Sequence, residues 1–198
     1  MGYQSDREFT NYIHETLAIP KIYDLLKWKK QNMDAFLANN VDMNNAVDRF
    51  LIDLVNQKII TVQERFREQK YQYYNDFTIR YEREHNIHSD RKKSEFFKLN
   101  ADYFVYGIIN SSKYKKEEAN DFIKFAVIDI KVLKALFDDG LIEVDKTLNS
   151  IKCVSKNGKI ICPVNHNKDN SSSFIPIDIK LLLQLFSDKK IVLLKKGF

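Results

Sequence analysis

The spacing of apolar positions changes along this chain, and each change predicts a different element. In the first forty residues the spacing is helical. Phe9, Ile13, Thr16 and Leu17 recur on one face, behind Ser5-Asp6-Arg7-Glu8, a capping box in which Glu8 stands three residues beyond Ser5. Pro20 suits the first turn of a second helix, whose apolar stripe runs through Ile22, Leu25 and Leu26 toward Met33 and Phe36. Asn39-Asn40 and Asn44-Asn45 mark a connection. From Val47 the period becomes two. Phe50 and Ile52 share one face of a strand, Asn56-Gln57 turns the chain, and the next strand sets Val62 and Phe66 against Thr61, Gln63, Arg65 and Arg67. In a third strand Phe77, Ile79 and Tyr81 alternate with Asp76, Thr78, Arg80 and Glu82. A short helix around Lys93–Leu99 then leads to Asp102 and to Tyr103–Ile109, an apolar run that reads as a buried strand.

The second half contains an internal echo. IDIKVLKALF, starting at Ile128, returns as IDIKLLLQLF at Ile177, each copy with an Asp placed to cap a helix and β-prone segments on either side. Two capped helices on one sheet account for it. In CVSKNGKIIC, Asn157-Gly158 is a two-residue hairpin signal that sets Lys156 opposite Lys159 and Cys153 opposite Cys162. A cross-strand disulfide is geometrically open to this pair, although a chain without an export signal favours free thiols. Together these elements predict one α/β domain over residues 1–198, with a mixed central β-sheet flanked by helices. Residues 1–40 form its helical part and 41–198 its sheet core.

Composition narrows the function. With 198 residues, 44% hydrophobic and 30% charged, the chain can bury one core and has the make-up of a soluble globular protein. No apolar run is long enough to span a membrane, and MGYQSDREF lacks the apolar core of a secretory signal. A cytoplasmic protein with no membrane partner is the expectation. The net charge of +5 allows a polyanionic partner without requiring one. Five glycines form neither a Walker A loop nor a dinucleotide fingerprint, and the four histidines fall in no strong ligand or triad spacing. Kinase, NTPase and oxidoreductase chemistry are therefore disfavoured.

What remains is the polar face of the strand pair. Metal-assisted phosphodiester cleavage needs oxygen ligands for a hard cation and a group that positions the water or offsets charge. Adjacent strands can hold both on one side. Asp48 opens the first strand, and Gln63, Glu64 and Arg65 lie together on the second. Alternation puts Gln63 and Arg65 on the polar face and turns Glu64 away, unless a bulge brings it round. A charge ladder of Glu64, Arg65, Arg67 and Glu68 would account for the same residues without any chemistry.

Asp48, the Gln63–Arg65 strand, SEFFKLNADYFVYGII and the later FAVIDIKVLKALFDDG resemble the core of the PD-(D/E)XK nuclease-like superfamily. In that group the first strand gives an Asp, and the second an acid and a Lys two residues apart. The resemblance implies a restriction endonuclease-like fold and a divalent-metal-dependent endodeoxyribonuclease of restriction or phage type. Mg²⁺ or Mn²⁺ would be held by Asp48 with Glu64, Gln63 or Asp76 completing the set, and Arg65 would stabilise the scissile phosphate. DNA would be gripped by Arg67, Arg80, Arg91, Lys92 and Lys93, and a homodimer is expected if both strands are cut at a symmetric site. Gln63 and Arg65 depart from the family's acid and Lys. Gln brings no charge, and Arg cannot act as a base. The alternative is a catalytically inactive nuclease-fold protein that binds DNA or serves as a complex subunit.

Overall fold

A computed structural model describes residues 3–31, 46–86, 88 and 92–198. The expected helical stripe through Met33 and Phe36, the Asn39-Asn40 and Asn44-Asn45 connection and the DNA contact assigned to Arg91 lie outside them. The chain forms a single α/β domain around a mixed six-stranded sheet. Its first helix is α1 (Tyr3–Ile13), continued without a break by a π-helical stretch His14–Tyr23 and a last turn, α2 (Asp24–Leu26). Pro20 therefore sits inside a helix rather than starting one. Proline has no N–H to give to the ladder, and the i→i+5 bonding of the wider winding accommodates it, as in the bond from Asp24 N–H to Ile19 O.

The strands of the main sheet are β1 (Trp28–Lys30), β2 (Arg49–Asp53), β3 (Lys58–Arg67), then, after β4 (Asp76–Arg80), β5 (Tyr103–Ile109) and β6 (Phe122–Asp129). The last strand of the chain, Val192–Lys196, completes the order at the β6 edge. β2 and β3 are an antiparallel hairpin, β3 and β5 run parallel, and β5 and β6 antiparallel. The β2–β3 turn is closed by Asp53, whose carboxylate accepts the N–H groups of Val55 and Asn56 at 3.0 and 3.1 Å. As predicted, Asn56-Gln57 lies in that turn.

β4 does not join this sheet. It pairs with β11 (Ser173–Asp178), which in turn pairs with β10 (Asn165–His166). A third sheet holds β7 (Ile142–Asp145), β9 (Lys159–Pro163) and β8 (Val154–Lys156), with the Asn157-Gly158 turn at positive φ and Lys156 opposite Lys159. Cys153 and Cys162 are free, their sulfurs 3.4 Å apart. The two echo segments each run from a strand into a helix, α4 (Ile130–Asp138) and α5 (Ile179–Leu185), after the short α3 (Glu95–Lys98). Asp129 and Asp178 cap them as expected, accepting from Val132 N–H at 2.9 Å and from Lys180 N–H at 2.8 Å. The expectation of one shared sheet is corrected, because α4 follows a main-sheet strand whereas α5 follows β11.

The main sheet is buried on both sides, which is why β5 and β6 read as apolar runs. Val62, Phe66, Val105, Ile109, Phe125 and Val127 pack with Phe9, Ile13, Leu17, Ile22 and Tyr23 of the N-terminal helix. Phe104, Tyr106, Ile108, Ala126 and Ile128 face the opposite way, toward Phe77, Ile79, Leu133 and Leu182. Between Phe66 and Phe122 only a glycine fits: a Cβ on Gly107 would lie 2.6 Å from Phe122 Cε1 and 3.1 Å from Phe66 Cδ1. Gly107→Ala is expected to destabilise the fold by about 1–3 kcal/mol through overpacking, read as a lower urea midpoint with unchanged slope.

Candidate functional site on the face of β3

β3 is in register with β2 from Lys58 to Val62 and with β5 from Val62 to Arg67, with no bulge in either pairing. Glu64 thus stays turned away from Gln63 and Arg65, and the strand carries two different polar clusters on its two faces. Glu64 points toward the N-terminal helix, with its side chain fully buried. Its Oε1 receives the hydroxyl of Tyr23 and a 2.6 Å bond from His14 Nδ1, and its Oε2 receives Arg49 Nε at 3.1 Å. Asp48 lies one step beyond the Arg49–Val62 pair, alongside Gln63, and its Oδ2 accepts the Glu64 N–H at 2.7 Å.

Winding explains how His14 and Tyr23 meet on one carboxylate. Nine residues make two and a half α-helical turns and would place them on opposite faces; in the wider π winding nine residues close roughly two whole turns. Burial alone would push the Glu64 carboxyl up. The bond and charge of His14, the charge of Arg49 and the Tyr23 bond outweigh it and hold the group below its ordinary 4.5. Burial, then the Glu64 charge, pushes the Tyr23 phenol well above its ordinary value. Three donors occupy both oxygens of Glu64, which ties the carboxylate to the fold.

The opposite face gathers a second set. Arg65 donates to Thr78 O at 2.6 Å and pairs with Glu95 at the start of α3. Glu95 Oε2 also accepts the Arg80 N–H at 3.1 Å. Thr78 O and Arg80 N–H lie on the edge of β4 that no strand covers, so Arg65 and Glu95 satisfy an otherwise open edge. Arg67 donates to Thr78 Oγ1 at 3.0 Å and lies over the Tyr71 ring. Among the described residues neither Arg67 nor Arg80 has a carboxylate within ion-pair distance. Burial, and after it the charge of Arg65, brings the Arg80 guanidinium down to about 10; burial and Arg65 also lower Arg67. Burial pushes the Tyr106 phenol to about 12, and Asp76 adds to it while Arg67 opposes it.

Three buried side-chain atoms have no partner among the described residues: His14 Nε2 on the helix side, and Gln63 Oε1 and Glu95 Oε1 on this side. Asp76 lies at the Arg67 end of β4 opposite Asp178, and with it lines a cavity of about 30 Å³. Burial and then the Asp178 charge raise its carboxyl. The structure therefore brings Gln63, Arg65, Arg67 and Arg80 to one face, whereas Asp48 is tied to the Glu64 N–H and its charge acts on Tyr23 of the helix side. Glu64 is on the other face, Asp76 is at the far end, and Lys92 and Lys93 are exposed beyond Arg83. Among the described residues no three His, Cys, Asp or Glu side chains gather closely enough to hold a metal ion, and no helix is long and apolar enough to cross a membrane.

Sequence reasoning missed His14, Tyr23, Arg49 and Glu95. The first two are invisible at an α-helical period. Glu95 stands in SEFFKLNADYFVYGII, where its one sequence signal is an acid between Ser94 and two phenylalanines. No family model matches the chain, and comparison with curated proteins and with solved structures finds no significant match.

Removing a fully buried, triply bonded carboxylate leaves its donors uncompensated, so Glu64→Ala is expected to cost about 3–5 kcal/mol at neutral pH in urea unfolding. A depressed carboxyl contributes its stability above the unfolded value and loses it as pH falls through the folded one. The gap between parent and variant should therefore narrow below pH 4.5.

Proposed function

We propose that this protein is a divalent-metal-dependent endodeoxyribonuclease that takes DNA phosphates on the Arg65–Arg67–Arg80 face. The observation that carries the reading is charge. Arg65 has one carboxylate partner, Glu95, while Arg67 and Arg80 have none within ion-pair distance among the described residues. Guanidiniums held this close repel one another and are favoured by an anion between them, and the planar fork of Arg suits phosphate oxygens. Phosphate neutralisation supplies most of the affinity of proteins for nucleic acid.

The oxygen side of the same face fits a hard cation better than the helix side does. Gln63 Oε1 is buried and unpartnered among the described residues, whereas the Glu64 oxygens are taken and Asp48 Oδ2 accepts the Glu64 N–H. Mg²⁺ or Mn²⁺ bound there would polarise the phosphodiester and lower the pKa of a water. Arg65 would hold a non-bridging oxygen, Arg67 and Arg80 the flanking phosphates, and Asp48 would orient the ion's side of the site.

A second reading, a DNA-binding module without cleavage, is favoured by the neutral Gln63 where the resembled family carries an acid. Purified protein with Mg²⁺ and supercoiled plasmid separates the two. The enzyme reading expects nicking that chelation stops and that Asp48→Ala abolishes while circular dichroism is kept. Binding without nicking supports the module. In either case Arg67→Gln and Arg80→Gln should each lower the slope of log affinity against log salt by about 1. DNA affinity indifferent to both substitutions would count against the nucleic-acid reading altogether.

A further inference from the structure

From the thiols of the β8–β9 hairpin we infer a reversible redox site: Cys153 is modified by a low-molecular-weight disulfide, Cys162 resolves it, and a cross-strand disulfide replaces the tie of Cys153 to β11. The inference is independent of the nuclease reading. Lys156 and Lys159 flank the Asn157-Gly158 turn, and the first pair of a two-residue hairpin exchanges its backbone bonds. Three steps further on, Cys153 and Cys162 stand at a non-hydrogen-bonded pair, where opposed Cα atoms are about 4.5 Å apart, within the span of a disulfide. Both thiols are free, and their sulfurs are 3.4 Å apart. Cysteine pairs in a reducing compartment are more often redox-sensing than structural.

The same thiol joins two sheets. Cys153 donates to Pro176 O on β11 at 3.0 Å. The bonds from Tyr81 N–H to Ser173 O and from Ile179 N–H to Asn75 O fix the alternation between β4 and β11. Pro176 and Thr78 are therefore a non-hydrogen-bonded pair, and their carbonyls turn away from each other's strand. Thr78 O goes to Arg65 and Pro176 O to the Cys153 thiol. A disulfide brings the sulfurs to about 2 Å and has no hydrogen to donate. Oxidation thus takes the donor from a buried residue's carbonyl while closing the hairpin covalently.

Exposure sets the order of the steps. Cys153 is half-buried and lines a cavity with Asp76, Lys152 and Asp178. Cys162 is enclosed, and its thiol is pushed up by the bond from Cys153 and then by burial. Cys153, as thiolate, attacks one sulfur of the small disulfide, and a thiolate leaves to take up a proton. Cys162 then loses its proton and attacks Cys153 Sγ, expelling the second thiolate. One small disulfide is reduced to two thiols, and the protein dithiol is oxidised.

Hydroxyethyl disulfide is the probe, because it carries no charge into a cavity lined by two acids. Incubated with the folded chain, it should lower the intact mass by two hydrogens, remove both alkylatable thiols and be reversed by dithiothreitol. Cys162→Ala should stop at a hydroxyethyl mixed disulfide on Cys153. Cys153→Ser keeps a hydroxyl for Pro176 O and should not react while folded. Amide exchange at Ile175 and Ile177 should rise several-fold in the oxidised parent and stay unchanged in Cys153→Ser treated alike. A parent that remains reduced, or that holds the mixed disulfide without closing, overturns the redox site. So does a Cys153→Ser chain that reacts as fast as the parent. Closure with β11 exchange unchanged overturns the tie to β11.

Discussion

A single buried carboxylate sets the phase of the central strand. Glu64 is gripped by His14, Tyr23 and Arg49 on the helix side of the main sheet, with its own N–H held by Asp48. Side chains alternate along a strand, so a one-residue slip of β3 would drive Arg65 into the apolar layer of Phe9, Ile13 and Leu17 and turn Glu64 to the other side. Because Glu64 is bound where it is, Gln63, Arg65 and Arg67 are committed to the face where β4 and α3 meet them. A structural ion cluster on one side thereby fixes a candidate binding face on the other.

That cluster depends in turn on an irregular helix. The π winding between His14 and Tyr23 places both on the Glu64 carboxylate and houses Pro20 without a break. Across the sheet, β4 leaves the main layer to pair with β11, and its exposed edge is closed by the side chains of Arg65 and Glu95 instead of by backbone. Both departures from regular structure border the same strand. Arg65, Arg67 and Arg80 and the unpartnered Gln63 and Glu95 oxygens border it on that side.

Much of this architecture is legible in the sequence, where local chemistry decides it. Period-two alternation identifies β2, β3 and β4, Asn157-Gly158 sets its hairpin register, and Asp129 and Asp178 cap their helices as their spacing indicates. The phase of β3 is also readable, since Val62 and Phe66 must face the core. Long-range choices are not. Nothing local shows that β4 prefers β11, found nearly a hundred residues further on, to its neighbour β3. A helix read at 3.6 residues per turn separates His14 from Tyr23. Glu95 shows its partner only once α3 is folded against β4. The candidate site was therefore half visible: its strand residues could be placed, but the acid contributed by the helix could not.

Glu64 anchors the fold as an ionised, enclosed carboxylate and not as a solvent-facing ligand. Its side-chain carboxyl resonance, followed by nuclear magnetic resonance as pH is lowered, tests this directly. The expected result is a titration midpoint below 4.5, with His14, Tyr23 and Arg49 resonances moving together with it. A midpoint at or above the ordinary value, with those three unmoved, would mean that the carboxylate is not held between them, and Glu64 would not be the anchor that fixes the phase of β3 together with Val62 and Phe66.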